Sequence, residues 1–141
     1  MLERALKTIP LGSQTFSKSM IQYPVGVSPL FLERGEGSRV WDIDGNSYID
    51  FVNGLLSVSI GYNNPIFNAA VLEQLNNGVT FSLPHRLETE VAEMLVDMVP
   101  CAEMVRFGKN GSDATSAAVR LARAYTDREH ILVCGYHGWQ D

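Results

Sequence analysis

Residues 103–125 constrain the fold most. A short apolar run, Glu103 to Phe107, leads directly into Gly108-Lys109-Asn110-Gly111-Ser112, and an alanine-rich stretch follows at once. In that stretch Ala114, Ala117, Ala118, Leu121, Ala122 and Tyr125 recur at helical spacing. The stripe they form is narrow and small enough to pack tightly on a sheet, with Arg120 and Arg123 opposite it. His130 to Gly135 is a second short apolar run. Strand, helix, strand implies a right-handed parallel crossover and an α/β fold.

The bare segment between strand and helix asks what it holds. Backbone N–H groups and the positive end of a helix dipole meet there, which suits an anion. Gly111 lets a phosphate approach the backbone, and Ser112 either caps a helix starting near Ser112 or Asp113 or donates its hydroxyl to the anion. Ordinary capping gives the same residues, so both readings stand on this stretch alone. Named nucleotide motifs are excluded. Asn110 follows Gly108-Lys109 where a phosphate-binding loop needs Ser or Thr, and the third glycine of a dinucleotide fingerprint is absent. No nucleophile elbow is present either. Gly135-Tyr136-His137-Gly138 follows the second strand, where ligands of open α/β sheets sit, and Tyr136 can stack on a flat ring.

The first third reads differently. Pro29 to Arg34, Ser38 to Asp44 and Ser47 to Val52 are short strand patterns separated by Gly35-Glu36-Gly37 and Asp44-Gly45-Asn46, so a three-stranded meander is expected. The alternating Asp42, Asp44 and Asn46 imitate a calcium loop, yet the glycine comes too early and no closing Glu follows, so we read a turn. Asn64 and Pro65 open a helix carrying Phe67, Val71 and Leu75, which Asn77 and Gly78 end. Leu87, Val91, Met94, Leu95 and Met98 mark a second helix that stops before Pro100, its methionines read as core filler.

With 141 residues and 45% hydrophobic composition, the chain is globular and roughly one domain long. A formal net charge of -5 with scattered basic residues argues against nucleic-acid binding. No signal-peptide pattern and no membrane-length apolar run is visible, so a cytoplasmic protein is expected. Cys101 and Cys134 form no metal or redox spacing and are expected as buried free thiols.

Taken together and in order, the segments "GSRVWDIDGNSYIDFVNG", "IGYNNP", "LETEVAEMLVDMVP", "VRFGKNGSDATSAAVRLARAYT" and "GYHGWQD" resemble the N-terminal part of class III aminotransferases. These are pyridoxal-phosphate enzymes of fold type I, and the resemblance is to their glutamate-1-semialdehyde aminomutase-like branch. It implies an N-terminal segment with the meander over residues 1–60, and the first part of a large cofactor-binding domain over 61–141. It also implies pyridoxal 5'-phosphate as cofactor, held at Asn110, Gly111 and Ser112, with Tyr136 stacking on its ring and His137 completing that turn. Asp113 stands where Glu is commoner and is read as a first-turn acid favoured by the helix dipole. Tyr62 stands where the family often has His, and Trp139 follows the Tyr136 turn; both bear on the substrate.

The implied function is amino-group transfer between an amino compound and an aldehyde or ketone. The aminomutase reaction is the alternative in the same class, and a non-catalytic cofactor-pocket fragment is the alternative outside it. The family's Schiff-base lysine matches none of Lys7, Lys18 and Lys109. The 141 residues are therefore expected to be an inactive fragment of a homodimeric enzyme, with the Ala114 to Tyr125 stripe and its strand edges poorly covered. His85 and Arg86 are read as a local cap or surface pair, with substrate contact the minor alternative.

Overall fold

The computed structural model of the chain describes residues 1–135. Contacts separate two compact units, Met1–Thr80 and a second beginning at Phe81.

The first unit opens with α1 (Leu2–Leu6) and two short 3-10 turns, then builds one antiparallel sheet. Its strands are β1 (Leu32–Glu36), β2 (Arg39–Asp42) and β3 (Ser47–Ile49), ordered as they occur in the chain. This is the expected meander. The register pairs Gly35 with Val40 and Val40 with Tyr48, and a bulge interrupts β1 between Leu32 and Arg34. Val40, 5% exposed at the centre of the sheet, is the only buried apolar side chain among the described residues. Across the β1–β2 pair, the Arg34 guanidinium lies 3.6 Å from the centre of the Trp41 ring, where the ring's negative face attracts it.

The β1–β2 turn falls at Gly37 and Ser38, so Gly35 lies within the strand and not in the turn assigned to it from sequence. The reason is Tyr62. A Cβ on Gly35 would stand 2.5 Å from Cγ of that ring, so the strand needs glycine where the ring crosses it. Gly37 and Tyr62 exchange two backbone hydrogen bonds of 2.9 and 2.8 Å, which extend the pairing beyond the strand.

A single turn, α2 (Asn53–Leu56), has left-handed backbone angles from Asn53 (φ 51) through Gly54 (φ 58) and Leu55 (φ 60) to Leu56 (φ 69). Such a run costs about 1–2 kcal/mol per non-glycine residue and has to be held from outside. The next element, α3 (Pro65–Asn77), starts and stops where its sequence says. Asn64 accepts from the Ile66 and Phe67 amides, each at 3.1 Å, and Gly78 leaves the helix at φ 98.

The second unit holds α4 (Arg86–Met98) and α5 (Gly111–Thr126). His85 caps α4, its Nδ1 accepting from the Leu87 amide at 3.3 Å while Glu88 accepts from the His85 amide at 3.0 Å. The Phe81 ring stacks on the imidazole with centroids 5.4 Å apart. The cap reading of His85 therefore holds, and Arg86 turns to Glu90 in an exposed pair.

Three expectations need correction. Neither 103–107 nor 130–135 forms a strand, because a strand exists only by pairing and neither segment has a ladder partner among the described residues. The parallel crossover is accordingly not formed within these residues. Met94 and Met98 are exposed and not core filler, and Cys101 and Cys134 are exposed and not buried. The small-residue stripe of α5 is uncovered as expected, with Leu121 at 69% and Tyr125 at 93% exposure.

Candidate functional site

The start of α5 is built from side chains that answer one another. Asn110 is extended and caps the helix, its Oδ1 accepting from the Asp113 amide at 3.0 Å. In return Asp113 Oδ2 accepts from the Lys109 amide at 3.0 Å and the Asn110 amide at 3.1 Å. This reciprocal capping box starts the helix at Gly111, with Asn110 and not Ser112 as its cap. The signal was in the sequence as Asn110-x-x-Asp113, which starts the helix at Gly111, one or two residues earlier than the start read there.

The two glycines of the loop serve different ends. A Cβ on Gly108 would lie 3.0 Å from Cβ of Asp113, so bareness there lets the carboxylate fold back over the loop. A Cβ on Gly111 would meet nothing within 4 Å, and its φ is not left-handed. Packing among the described residues does not require glycine at 111. What its bareness leaves is an open approach to the first turn.

The donors at that approach are unspent. Among the described residues, the Gly111 and Ser112 amides and the Ser112 hydroxyl have no hydrogen-bond partner, whereas those of Lys109 and Asn110 are taken by Asp113. Thr115 turns its hydroxyl inward to the Gly111 and Ser112 carbonyls, at 3.1 and 3.2 Å. Two adjacent N–H groups, a hydroxyl and the positive end of a sixteen-residue helix form a donor set that suits a phosphate monoester. The residues present fit that group. Gly111 and Ser112 are thus brought together with open donors, and Asn110 joins them with its amide side chain beside the turn. Tyr136 and His137 lie outside the described residues.

In the first unit the polar groups are spent on the fold. Asp42, 6% exposed, accepts from the Asp44 and Asn46 amides, from the Asn46 side chain and from the Tyr48 hydroxyl, at 2.8 to 3.0 Å. The calcium-like stretch is therefore a carboxylate-tied turn, and the Asn46 side chain, followed by the other donors, holds the Asp42 carboxyl below the usual range. Asp50 accepts from the Val52 and Gly54 amides at 2.8 and 3.2 Å and from the Tyr62 hydroxyl at 2.6 Å. That short bond lowers the Asp50 carboxyl and pushes the Tyr62 phenol up to about 12. Here lies the residue whose role the sequence did not disclose: Tyr62 packs on Gly35, pairs with Gly37 and latches the left-handed turn through Asp50.

A cleft of about 350 Å³ in the same unit is lined by Val27, Leu30, Phe31, Asp42, Asp44 and Tyr48, among others. Its two carboxylates repel an anion, so it does not compete with the α5 turn as a phosphate site. Among the described residues no three His, Cys, Asp or Glu side chains are grouped to hold a metal, and no helix is long and apolar enough to cross a membrane.

Comparison with known proteins gives a consistent family. The sequence model described as Aminotransferase class-III matches residues 21–140. A glutamate-1-semialdehyde 2,1-aminomutase 2 from Exiguobacterium sp. is 50% identical over 120 residues, covering 83% of this chain and 27% of that protein. An omega-transaminase from Sphaerobacter thermophilus superposes with a TM-score of 0.80 at 36% identity, over 90% of this chain and 28% of that one. The FumI protein of Sphingopyxis sp. MTA144, solved in its PLP internal aldimine form, gives a TM-score of 0.82 at 38% identity, over 90% of this chain and 30% of that one. The chain thus spans between a quarter and a third of the length of these relatives.

Proposed function

Because the chain belongs to the class III aminotransferase family, its sequence matching over residues 21–140, we propose that it supplies the phosphate cradle of a pyridoxal-phosphate-dependent aminotransferase. The full-length enzyme moves an amino group between an amino compound and an aldehyde or ketone. One observation carries the reading: among the described residues, the first turn of α5 leaves two amides and a hydroxyl without partners beside a glycine that packing does not require.

Bound pyridoxal phosphate supplies the electron sink that amino-group exchange requires. This chain's residues bind and orient it. The Gly111 and Ser112 amides and the Ser112 hydroxyl donate to the phosphate, and the helix dipole favours its charge. Asn110 holds the turn in register, Tyr136 covers the ring face, and His137 completes that turn. Residues 61–141 are on this reading the first part of the cofactor-binding domain. Lys7, Lys18 and Lys109 stay outside the chemistry, so residues 1–141 alone have no turnover, and the active form is a cytoplasmic homodimer of full-length chains.

The aminomutase reaction is the second reading, favoured by the 50% identity to a glutamate-1-semialdehyde 2,1-aminomutase. Both readings share the cofactor and are separated by substrate. Purified full-length protein is expected to carry or gain visible absorbance with pyridoxal phosphate, and Ser112→Ala to weaken binding roughly tenfold by removing one hydrogen bond to a charged group. Absence of that absorbance defeats the reading. Assay of glutamate-1-semialdehyde against separate amine and ketone pairs then assigns the reaction.

A further inference from the structure

The amides at the start of α5 are divided between two acceptors. Those of Lys109 and Asn110 converge on one oxygen, Asp113 Oδ2, at 3.0 and 3.1 Å, and those of Gly111 and Ser112 have no partner among the described residues. The carboxylate reaches back over the loop because Gly108 has no Cβ to meet it. The Asp113 amide is itself taken by Asn110 Oδ1, so carboxylate and cap fix each other.

We propose that Asp113 is a positioning residue for the cofactor phosphate, one that takes two of the four N–H donors out of competition and aims the other two. The proposal rests on the phosphate reading given above. Its physical content is a conflict of signs. As a negative group near a phosphate, Asp113 opposes binding by charge; as the acceptor that orders residues 108–112, it favours binding by geometry. Ordering dominates, because the carboxylate is already neutralised in part by the two amides it accepts from, while a loop without it has to be immobilised anew each time phosphate binds. Asn at this position retains an oxygen able to accept from both amides and loses the charge, whereas Ala loses both.

The test measures pyridoxal phosphate and pyridoxal, which lacks the phosphate, against the full-length protein by absorbance titration. Asp113→Ala is expected to weaken pyridoxal phosphate about tenfold and to leave pyridoxal within about twofold, the loss of a capping contact being felt only by the phosphate. Asp113→Asn is expected to keep the preference for the phosphorylated ligand. Unchanged or tighter binding of pyridoxal phosphate to Asp113→Ala overturns the proposal, and so does an equal loss of both ligands, which marks a purely structural role. Should Asp113→Ala not fold, Asp113→Asn decides: a retained preference supports positioning, and its loss overturns it. A wild-type protein without any preference for the phosphorylated ligand defeats the phosphate reading itself, a separate result.

Discussion

Asp50 and Asp113 do the same chemistry, each accepting two backbone amides, with opposite reach. Asp50 also accepts from Tyr62, twelve residues on, and so ties the left-handed turn at 53–56 to a residue that packs on Gly35 and pairs with Gly37. Asp113 reaches no farther than Lys109 and ties only its own helix start. The first arrangement consumes its donors to join segments distant in sequence. The second leaves donors over, and that surplus is what a ligand can use.

The contrast can be broken in steps of decreasing size, all measured in the full-length protein. Gly35→Ala puts a methyl group 2.5 Å from Cγ of the Tyr62 ring, where neither strand nor ring can yield cheaply. A loss of about 2–3 kcal/mol in urea unfolding is expected.

Tyr62→Phe keeps the ring on Gly35 and removes only the hydroxyl. The Asp50 site is partly solvated, so the expected cost is about 1 kcal/mol. Faster hydrogen exchange at the Val52 and Gly54 amides should accompany it, since the strained turn loses its outer tie. The pH dependence follows from the directions of the shifts. Asp50 lies below its unfolded value, so its contribution is present above that value and is lost as pH falls through the folded one. Tyr62 lies above its unfolded value, so its contribution is complete below pH of about 10 and is lost as pH rises towards about 12. Absorbance titration of tyrosinate should lose a late group on Tyr62→Phe, while Tyr48, which its bond to Asp42 also raises, stays.

In α3, Asn64→Ala deletes a cap that serves two amides and should cost about 1 kcal/mol, read as fraying of the first turn by hydrogen exchange. Smallest is Glu90→Gln in α4. Its partner Arg86 is 73% exposed, and the pair is expected to contribute about 0.3 kcal/mol, vanishing in high salt.

What could be read from the residues follows range. The α3 boundaries were legible to the residue, because Asn64, Pro65 and Gly78 act on amides and carbonyls within four positions. The three-strand meander was legible because its turns lie between adjacent strands, although Gly35 was placed in the turn and belongs to the strand. That 108–112 is a glycine-rich loop opening a helix was legible; the division of its donors between Asp113 and open space was not, since that depends on a carboxylate rotamer permitted by Gly108. Tyr62 was visible only as an unusual residue after Gly61.

By itself the sequence determined the caps of α3 and α4, the hairpin order and the family, because these rest on local hydrogen bonding and on the linear order of motifs. Tertiary structure decided that Tyr62 is the latch of the first unit and that, among the described residues, 103–107 is not a strand and no packing accounts for the bareness of Gly111. Each of those turns on what stands across from a residue in space, and a strand edge, a ring on a glycine or an unspent amide has no signature until its neighbour, or the lack of one, is in place.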